Sequence, residues 1–180
     1  SISLIENQGY VGIATNGKPD ATIAMQAQEA APDEITMTLA GVLPLALHTH
    51  PARIANIGIG SGLTSHVLLT DPRVQTLDTI EIEPLMAEAA RFGFMPRVRN
   101  AFTDPRSHIY FEDAKTFFAT HPARYDVIVS EPSNPWVSGV ATLFSDEFYA
   151  QLTRYLAPDG MLLQWVQVYE TDTGIVSSII

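Results

Sequence analysis

The sequence has no cysteine, few basic residues and no long apolar run. Without cysteine there is no disulfide framework and no thiolate metal site. Ten lysines and arginines stand against 20 aspartates and glutamates, a net charge of −10. That balance argues against a nucleic-acid surface, which needs a basic patch. It is compatible with a cationic substrate drawn into an acidic field, although a solvated acidic surface accounts for it equally well. No apolar run reaches the ~20 residues that span a bilayer, and no segment reads as a signal peptide. His48 and His50 flank Thr49. With no third ligand in view they read as the end of a helix and not as a metal site. What is present is a chain of 180 residues, 46% hydrophobic and 17% charged, which suits one domain with a substantial core.

The most informative stretch is Arg53 to Glu83. An apolar run, Ile54–Ile57, leads into Gly58, Gly60 and Gly62. A helical pattern covers Leu63–Leu69, Asp71-Pro72 turns the chain, and a second apolar stretch ends in Glu81 and Glu83. Strand, glycine turn, helix and a second strand ending in an acid form a nucleoside-type site. The turn reads Gly-x-Gly-x-Gly, with Leu63 where a dinucleotide fingerprint keeps its third glycine. That spacing suits a ribose-bearing ligand without phosphates, such as S-adenosylmethionine or a relative. A carboxylate at Glu81 can accept from both ribose hydroxyls.

The flanking chain extends the pattern. Ser1–Ala24 reads as a small β unit with an Asn16-Gly17 hairpin turn, lengthened by Lys18-Pro19-Asp20 so that the return strand begins near Ile23. Gln26–Pro32 reads as a loop. A helix follows with Asp33 as its cap and Ile35, Met37, Leu39, Val42, Leu43 and Leu47 along it, bent or broken at Pro44. Pro84–Phe92 reads as a helix burying Leu85, Met86, Ala89 and Ala90. Gly93–Arg106 reads as an irregular segment, and Arg91 just before it together with its Arg97, Arg99 and Arg106 is a basic cluster that is solvated or holds an anion. Ser107–Phe111 is a third strand, with a short helix from Lys115 to Phe118. Asp113 sits between them, either as a helix cap or as an acceptor for an adenine amino group. Tyr125–Ser130 is a fourth, heavily apolar strand, followed by Glu131-Pro-Ser-Asn-Pro-Trp136. Glu131 is the carboxylate best placed for chemistry, and the competing reading ties it to its own proline-rich loop. Trp136 covers a ligand or packs beneath the loop, and Val137–Thr142 reads as a lid. Phe144–Leu156 is a helix capped by Ser145, Pro158-Asp-Gly160 stops it, and Gly160–Val168 is the fifth strand, with Tyr169-Glu170 at its end.

The pattern is α/β: a doubly wound, mostly parallel Rossmann-like sheet after a small N-terminal β unit. The expected division is residues 1–30 for the β unit and 31–180 for the nucleoside-binding domain. The chain ends at Ser177–Ile180 in the start of a helix, so a C-terminal truncation with missing strands is expected.

These stretches resemble the class I methyltransferase fold and, within it, the spermidine synthase (polyamine aminopropyltransferase) family. The resemblance is carried by Asn56–Gly62, Glu81-Ile-Glu83, Glu112-Asp-Ala114, Tyr125–Val129 and, most specifically, Glu131–Pro135 followed by Leu143–Tyr149. It implies a nucleoside site formed by Gly58, Gly60, Ser61 and Gly62, with Glu81 and Ile82 on the ribose and Asp113 and Ala114 on the adenine. It implies that Glu131 is the catalytic acid–base group and that Asn134 and Trp136 contact the acceptor. The co-substrate would be decarboxylated S-adenosylmethionine or S-adenosylmethionine, with no metal, and the partner a small-molecule amine, not nucleic acid. A homodimer and a cytoplasmic location are further expectations. Because the divergent branch is often fused to membrane segments, such segments outside this chain are expected as well.

The sequence also departs from the family. Ser61 stands where an aspartate binds the donor's amino group, Glu131 replaces an aspartate, and Asn134 replaces a second one. The Tyr-His/Gln-Glu segment has no equivalent near Met37-Thr38-Leu39, and Asp20 lies near an acceptor-binding glutamine. Two alternatives therefore stay open: a small-molecule methyltransferase, and a non-catalytic nucleoside-binding domain of a larger protein.

Overall fold

Three antiparallel strands come first. The computed structural model describes residues 1–26, 29–132 and 140–166. β1 (Ile2–Asn7), β2 (Tyr10–Thr15) and β3 (Lys18–Ala24) form a sheet in that order. Asn16 and Gly17 make the β2–β3 turn at φ 51° and 79°, the left-handed geometry whose twist suits a two-residue hairpin. The turn is thus shorter than expected, and the return strand begins at Lys18, which pairs with Thr15. The irregularity falls inside the strand instead. Ala14 faces Pro19 and Ile13 faces Ala21, so Asp20 is the extra residue of a bulge.

α1 (Pro32–Leu47) starts with proline in its first turn, where a missing N–H costs nothing. Its cap is Ala31 and not Asp33. Alanine has no acceptor, so Glu34 reaches back. Its Oε2 accepts from the N–H groups of Ala31 and Ala24 at 2.8 Å each, and its Oε1 accepts from Arg97 Nη2 at 2.9 Å. Glu34 is buried. Glu34→Ala would strand two backbone donors, and a loss of roughly 2–4 kcal/mol is expected in urea unfolding. Pro44 does not break α1: the helix runs to Leu47, and His48 N–H still bonds the Pro44 carbonyl at 2.9 Å. The helix buries Ala40, Gly41 and Pro44, whereas Ile35, Leu39, Val42, Leu43 and Leu47 are exposed.

The second sheet is built from β4 (Arg53–Ile57), β5 (Thr76–Ile80), β6 (Ser107–Tyr110), β7 (Tyr125–Ser130) and β8 (Leu156–Gln164). All its pairings are parallel, and the order is β6-β5-β4-β7-β8. Between the strands run α2 (Leu63–Leu68), α3 (Pro84–Thr103), α4 (Ala114–Thr120) and α5 (Asp146–Leu152). Alternate strand residues face opposite ways. Ala55, Ile57, Ile80 and Ile128 pack with Phe117, Phe118, Phe148 and Leu152 of α4 and α5. Ile54, Leu77, Val127 and Val129 pack with Ala40 of α1 and Leu68 of α2. A third cluster joins the N-terminal sheet to α3 through Ile13, Ile23, Met86, Ala90 and Phe94. The doubly wound expectation holds.

Several element boundaries differ from the sequence reading. α3 continues through Gly93 and Pro96 to Thr103, with a kink at Val98 (φ −127°, ψ 22°), so Gly93–Arg106 is mostly helix. Leu85 is exposed, while Met86, Ala87 and Ala90 are buried. Two of the four arginines serve the fold. Arg97 holds Glu34, and Arg106 binds Asp104 and the carbonyls of Leu69, Asp71 and Val74. α4 starts at Ala114 and runs to Thr120. α5 is shorter than expected; Ser145 caps it with Oγ accepting from Phe148 N–H at 3.3 Å. A 3-10 turn, Thr153–Tyr155, follows, and β8 begins at Leu156, before Gly160. The Pro158-Asp-Gly160 signal lies within β8, where the pairing jumps from Tyr125↔Leu156 to Val127↔Met161.

Candidate active site

Parallel strands bring their carboxyl ends to one rim, and loops leaving that rim form ligand sites. Here the rim and the N-terminal sheet enclose a cavity of about 750 Å³. Its wall includes Gly58 and Gly60 after β4, Glu81 and Ile82 after β5, Asp113 and Ala114 after β6, and Glu131 after β7. A volume of this order accommodates a nucleoside-sized ligand.

The glycine turn explains its own composition at Gly58. The residue has φ 90°, and a Cβ there would lie 2.5 Å from the Glu131 carbonyl oxygen. Gly58 N–H donates to the Ile80 carbonyl at 2.8 Å, and Glu131 N–H to the Ile57 carbonyl at 2.9 Å. The turn is therefore tied to the ends of both neighbouring strands. Gly60 has open space where a Cβ would project.

Glu81 is buried. Its Oε2 accepts from Ile59 N–H at 3.0 Å and its Oε1 from Glu83 N–H at 2.9 Å. Each oxygen keeps a further lone pair, enough to accept from two vicinal hydroxyls. Burial pushes its pKa above the ordinary carboxylate value, against the pull of those two N–H groups. Asp113 caps α4, with Oδ1 accepting from Thr116 N–H at 3.1 Å and Thr116 Oγ1 at 3.4 Å. Among the described residues Oδ2 takes no hydrogen bond, so capping leaves one oxygen for another donor.

Glu131 is partly exposed at the cavity wall, yet burial pushes its pKa up to about 7, opposed by a hydrogen bond with Thr64. A carboxyl group tuned near neutrality is suited to proton transfer. The cavity is strongly acidic. Asp20, Asp33, Glu81, Glu83, Glu112, Asp113 and Glu131 line it, and Lys18 is the one lysine or arginine on its described wall.

Other expected residues fall elsewhere. Ser61 is buried, its Oγ donating to Met37 Sδ at 3.0 Å and accepting from Leu63 N–H at 3.2 Å. Both hydrogen-bonding capacities point into the protein. Gly62 turns the chain into α2 against Phe102. Neither lies on the cavity wall. Asn134, Trp136, most of the expected lid, Tyr169-Glu170 and the terminal Ser177–Ile180 lie outside the described residues. Sequence reasoning gave no cavity role to Thr15, Lys18 and Pro19 of the N-terminal sheet, to Asp33 and Thr36 of α1, or to Thr64, Leu143 and Trp165. No spacing in the sequence links a hairpin near residue 17 to a strand end near residue 81, because only the packing of the two sheets joins them.

His48 is engaged structurally: its Nε2 donates to the Asp159 carbonyl at 3.2 Å and its Nδ1 accepts from His50 N–H at 3.2 Å. Among the described residues no group of three histidine or acidic side chains is arranged to hold a metal.

The strand order, the glycine turn and the acid ending the second strand define a Rossmann-like, class I methyltransferase-type fold. A family model described as the spermine/spermidine synthase domain matches residues 34–179, and the chain belongs to that family. It is 31% identical over 121 residues to a polyamine aminopropyltransferase of Alkaliphilus oremlandii, covering 67% of this chain and 42% of the relative. It is 38% identical over 114 residues to polyamine aminopropyltransferase 2 of Streptomyces coelicolor, covering 62% of this chain and 21% of that one. A crystal structure of spermidine synthase in complex with the transition-state analogue AdoDATO superposes with a TM-score of 0.78 at 25% identity, over 89% of this chain and 53% of that chain. The chain thus spans about half the length, or less, of the relatives it matches. Among the described residues no helix is long and apolar enough to cross a membrane.

Proposed function

We propose that this chain carries the donor site and the proton-accepting group of an aminopropyltransferase. The donor is decarboxylated S-adenosylmethionine and the acceptor a small aliphatic amine. The observation that carries the reading is the convergence of Glu81, Asp113 and Glu131 on one acidic cavity behind a glycine turn, in a chain of the spermine/spermidine synthase family. Two similar proteins bear the name polyamine aminopropyltransferase, and AdoDATO occupies a structural neighbour. Residues 1–30 serve as the β unit that walls the cavity, and residues 31–180 as the nucleoside-binding domain.

Each residue has a defined task. Glu81 accepts from the ribose hydroxyls, with Ile82 beside it. Asp113 Oδ2 accepts from the adenine amino group, and Gly58 and Gly60 let the backbone approach the ligand. The acceptor's neutral nitrogen attacks the methylene carbon next to the sulfonium. A C–N bond forms as the C–S bond breaks, and its electron pair returns to sulfur, leaving methylthioadenosine. The new nitrogen is cationic, and Glu131 takes its proton. The sulfonium is already activated, so orientation and one base suffice. Asn134 and Trp136 belong to the acceptor side of this proposal.

The test is turnover. Supplied with the decarboxylated donor and a panel of aliphatic amines, the protein is expected to release methylthioadenosine only when an amine is present. Glu81→Gln is expected to weaken methylthioadenosine binding about 10–100-fold, because a charged acceptor for two hydroxyls is lost. Amine-independent behaviour, or S-adenosylhomocysteine formation from S-adenosylmethionine in its place, would overturn the reading.

A further inference from the structure

Thr64 is the wall residue whose hydrogen bonding the fold leaves divided. It sits in the first turn of α2, 3% exposed, on the wall of the cavity that Glu131 also lines. Its Oγ1 donates to the Met37 carbonyl of α1 at 3.0 Å, and it also hydrogen-bonds the Glu131 side chain. A threonine hydroxyl carries one proton, so it cannot donate to both acceptors at once. Which of the two receives it depends on Glu131. A protonated carboxyl donates to Thr64 Oγ1 and leaves the hydroxyl proton on Met37. An ionised carboxylate only accepts, so the hydroxyl proton turns to it.

That turn costs Met37 little. Met37 is an interior position of α1, where a carbonyl also accepts from the N–H four residues on. The carboxylate has no such reserve. Among the described residues Thr64 is the one hydrogen-bond partner of the Glu131 carboxyl, and burial penalises the ionised form. Lys18 and Asp20 of β3, Asp33 of α1, Glu81 and Glu83 beyond β5, and Glu112 and Asp113 beyond β6 share the wall. Yet the Glu131 pKa is set by burial, which raises it, and by Thr64, which lowers it.

We propose that Thr64 is the positioning residue of Glu131: its hydroxyl turns from the Met37 carbonyl to the ionised carboxyl, orienting the base and stabilising the form that takes the amine's proton. The inference rests on the aminopropyltransferase reading for the task of Glu131 and adds the group that holds it ready.

Glutamate δ-carboxyl ¹³C NMR follows Glu131 without turnover. Its resonance is assigned by its loss in Glu131→Gln, and it is titrated in wild type, in the similarly shaped Thr64→Val and in the hydroxyl-keeping Thr64→Ser. The midpoint is expected to rise by about 1–2 pH units in Thr64→Val, the worth of a hydrogen bond to a charged group. Thr64→Ser is expected to bring it back to within about half a unit of wild type. Urea unfolding gives a second readout. A hydroxyl bound only to Met37 makes the stability deficit of Thr64→Val independent of pH. A hydroxyl that also serves ionised Glu131 makes the deficit widen above about pH 7, because the wild-type decline levels off there while the variant's continues to its higher midpoint. An unshifted midpoint with a pH-independent deficit overturns the proposal, and so does an equal rise in Thr64→Ser. If Thr64→Val does not fold, Thr64→Ala takes its place; failure of both to fold makes Thr64 a structural tie to α1 and overturns the proposal. A midpoint that moves in a protein releasing no methylthioadenosine from donor and amine sinks the aminopropyltransferase reading and leaves the positioning of Glu131 by Thr64 standing.

Discussion

Glu131→Gln is expected to lower kcat about 10²–10⁴-fold, the range typical of a lost general base, while methylthioadenosine affinity changes little. The amide keeps the shape of the side chain and removes its charge and its capacity to take a proton. The same group sets the pH dependence. Its pKa stands at about 7, raised by burial, so the proton-accepting form is populated as pH rises through 7. Below pH 7 kcat/KM for the amine is expected to rise with a log–log slope of about two, one part from Glu131 and one from deprotonation of the acceptor amine, and the variant is expected to keep only the amine's part. Stability moves the opposite way. Glu131 has a folded pKa above its unfolded value of 4.5, so the folded state holds the proton longer. Stability then falls between about pH 4.5 and pH 7, and the cost persists above that. Burying the ionised carboxylate costs on the order of 3 kcal/mol by linkage. Glu131→Gln is therefore expected to unfold at a higher urea concentration than wild type at pH 8, with the gap closing near pH 4. A variant that loses activity and stability together at pH 8 would make Glu131 a structural tie of its loop.

Gly58→Ala has the second large effect, and it joins fold to site. Two independent penalties act at this position. A side chain at φ 90° costs about 1–3 kcal/mol. The added methyl would also sit 2.5 Å from the Glu131 carbonyl oxygen, a backbone atom that cannot turn aside as a side chain can. Relief requires the ends of β4 and β7 to separate, which strains the Glu131–Ile57 hydrogen bond and shifts the Glu131 carboxyl. The expected loss is roughly 2–4 kcal/mol in urea unfolding, together with a fall in kcat larger than the change in methylthioadenosine affinity. Gly60→Ala is the control. The space there is open, so its stability loss is expected to be smaller and its ligand affinity to suffer more.

The strands of the parallel sheet were legible because each is a short apolar run bounded by a turn signal. Ile54–Ile57 and Tyr125–Ser130 are almost wholly buried, and a central parallel strand shows that pattern without alternation. Local breakers misled in three places. Pro44 sits inside a helix that continues past it, and the stretch from Gly93, read as irregular, stays helical to Thr103. Pro158-Asp-Gly160 lies within β8 because the Tyr125–Val127 pairing jumps to accommodate it. Around the cavity, the residues on strand ends could be read from the motif: Gly58, Gly60, Glu81 and Asp113 line the wall. Ser61 could not. Its place in the glycine run suggested a ligand contact, yet the turn into α2 directs its hydroxyl to Met37. The contributions of β3 and α1 depend on contacts between two sheets, and no sequence spacing encodes those. Met37 shows the same limit. The methionine stands where a polar acceptor segment was sought, and it both lines the cavity and accepts the Ser61 hydroxyl.

The acidity of the cavity gives a direct test of what it accommodates. S-adenosylmethionine and its decarboxylated form share adenosine and sulfonium and differ by one carboxylate. Seven acidic side chains line the described wall, and an added anion there meets like charge in a medium that screens it less than bulk water does. The measurement is a calorimetric titration of the protein with the two compounds under identical salt and pH. The account predicts that the decarboxylated form binds more tightly by at least about tenfold, or ~1.4 kcal/mol. Equal or tighter binding of S-adenosylmethionine would contradict the aminopropyl-transfer reading, and binding of neither by the folded protein would contradict the nucleoside site itself.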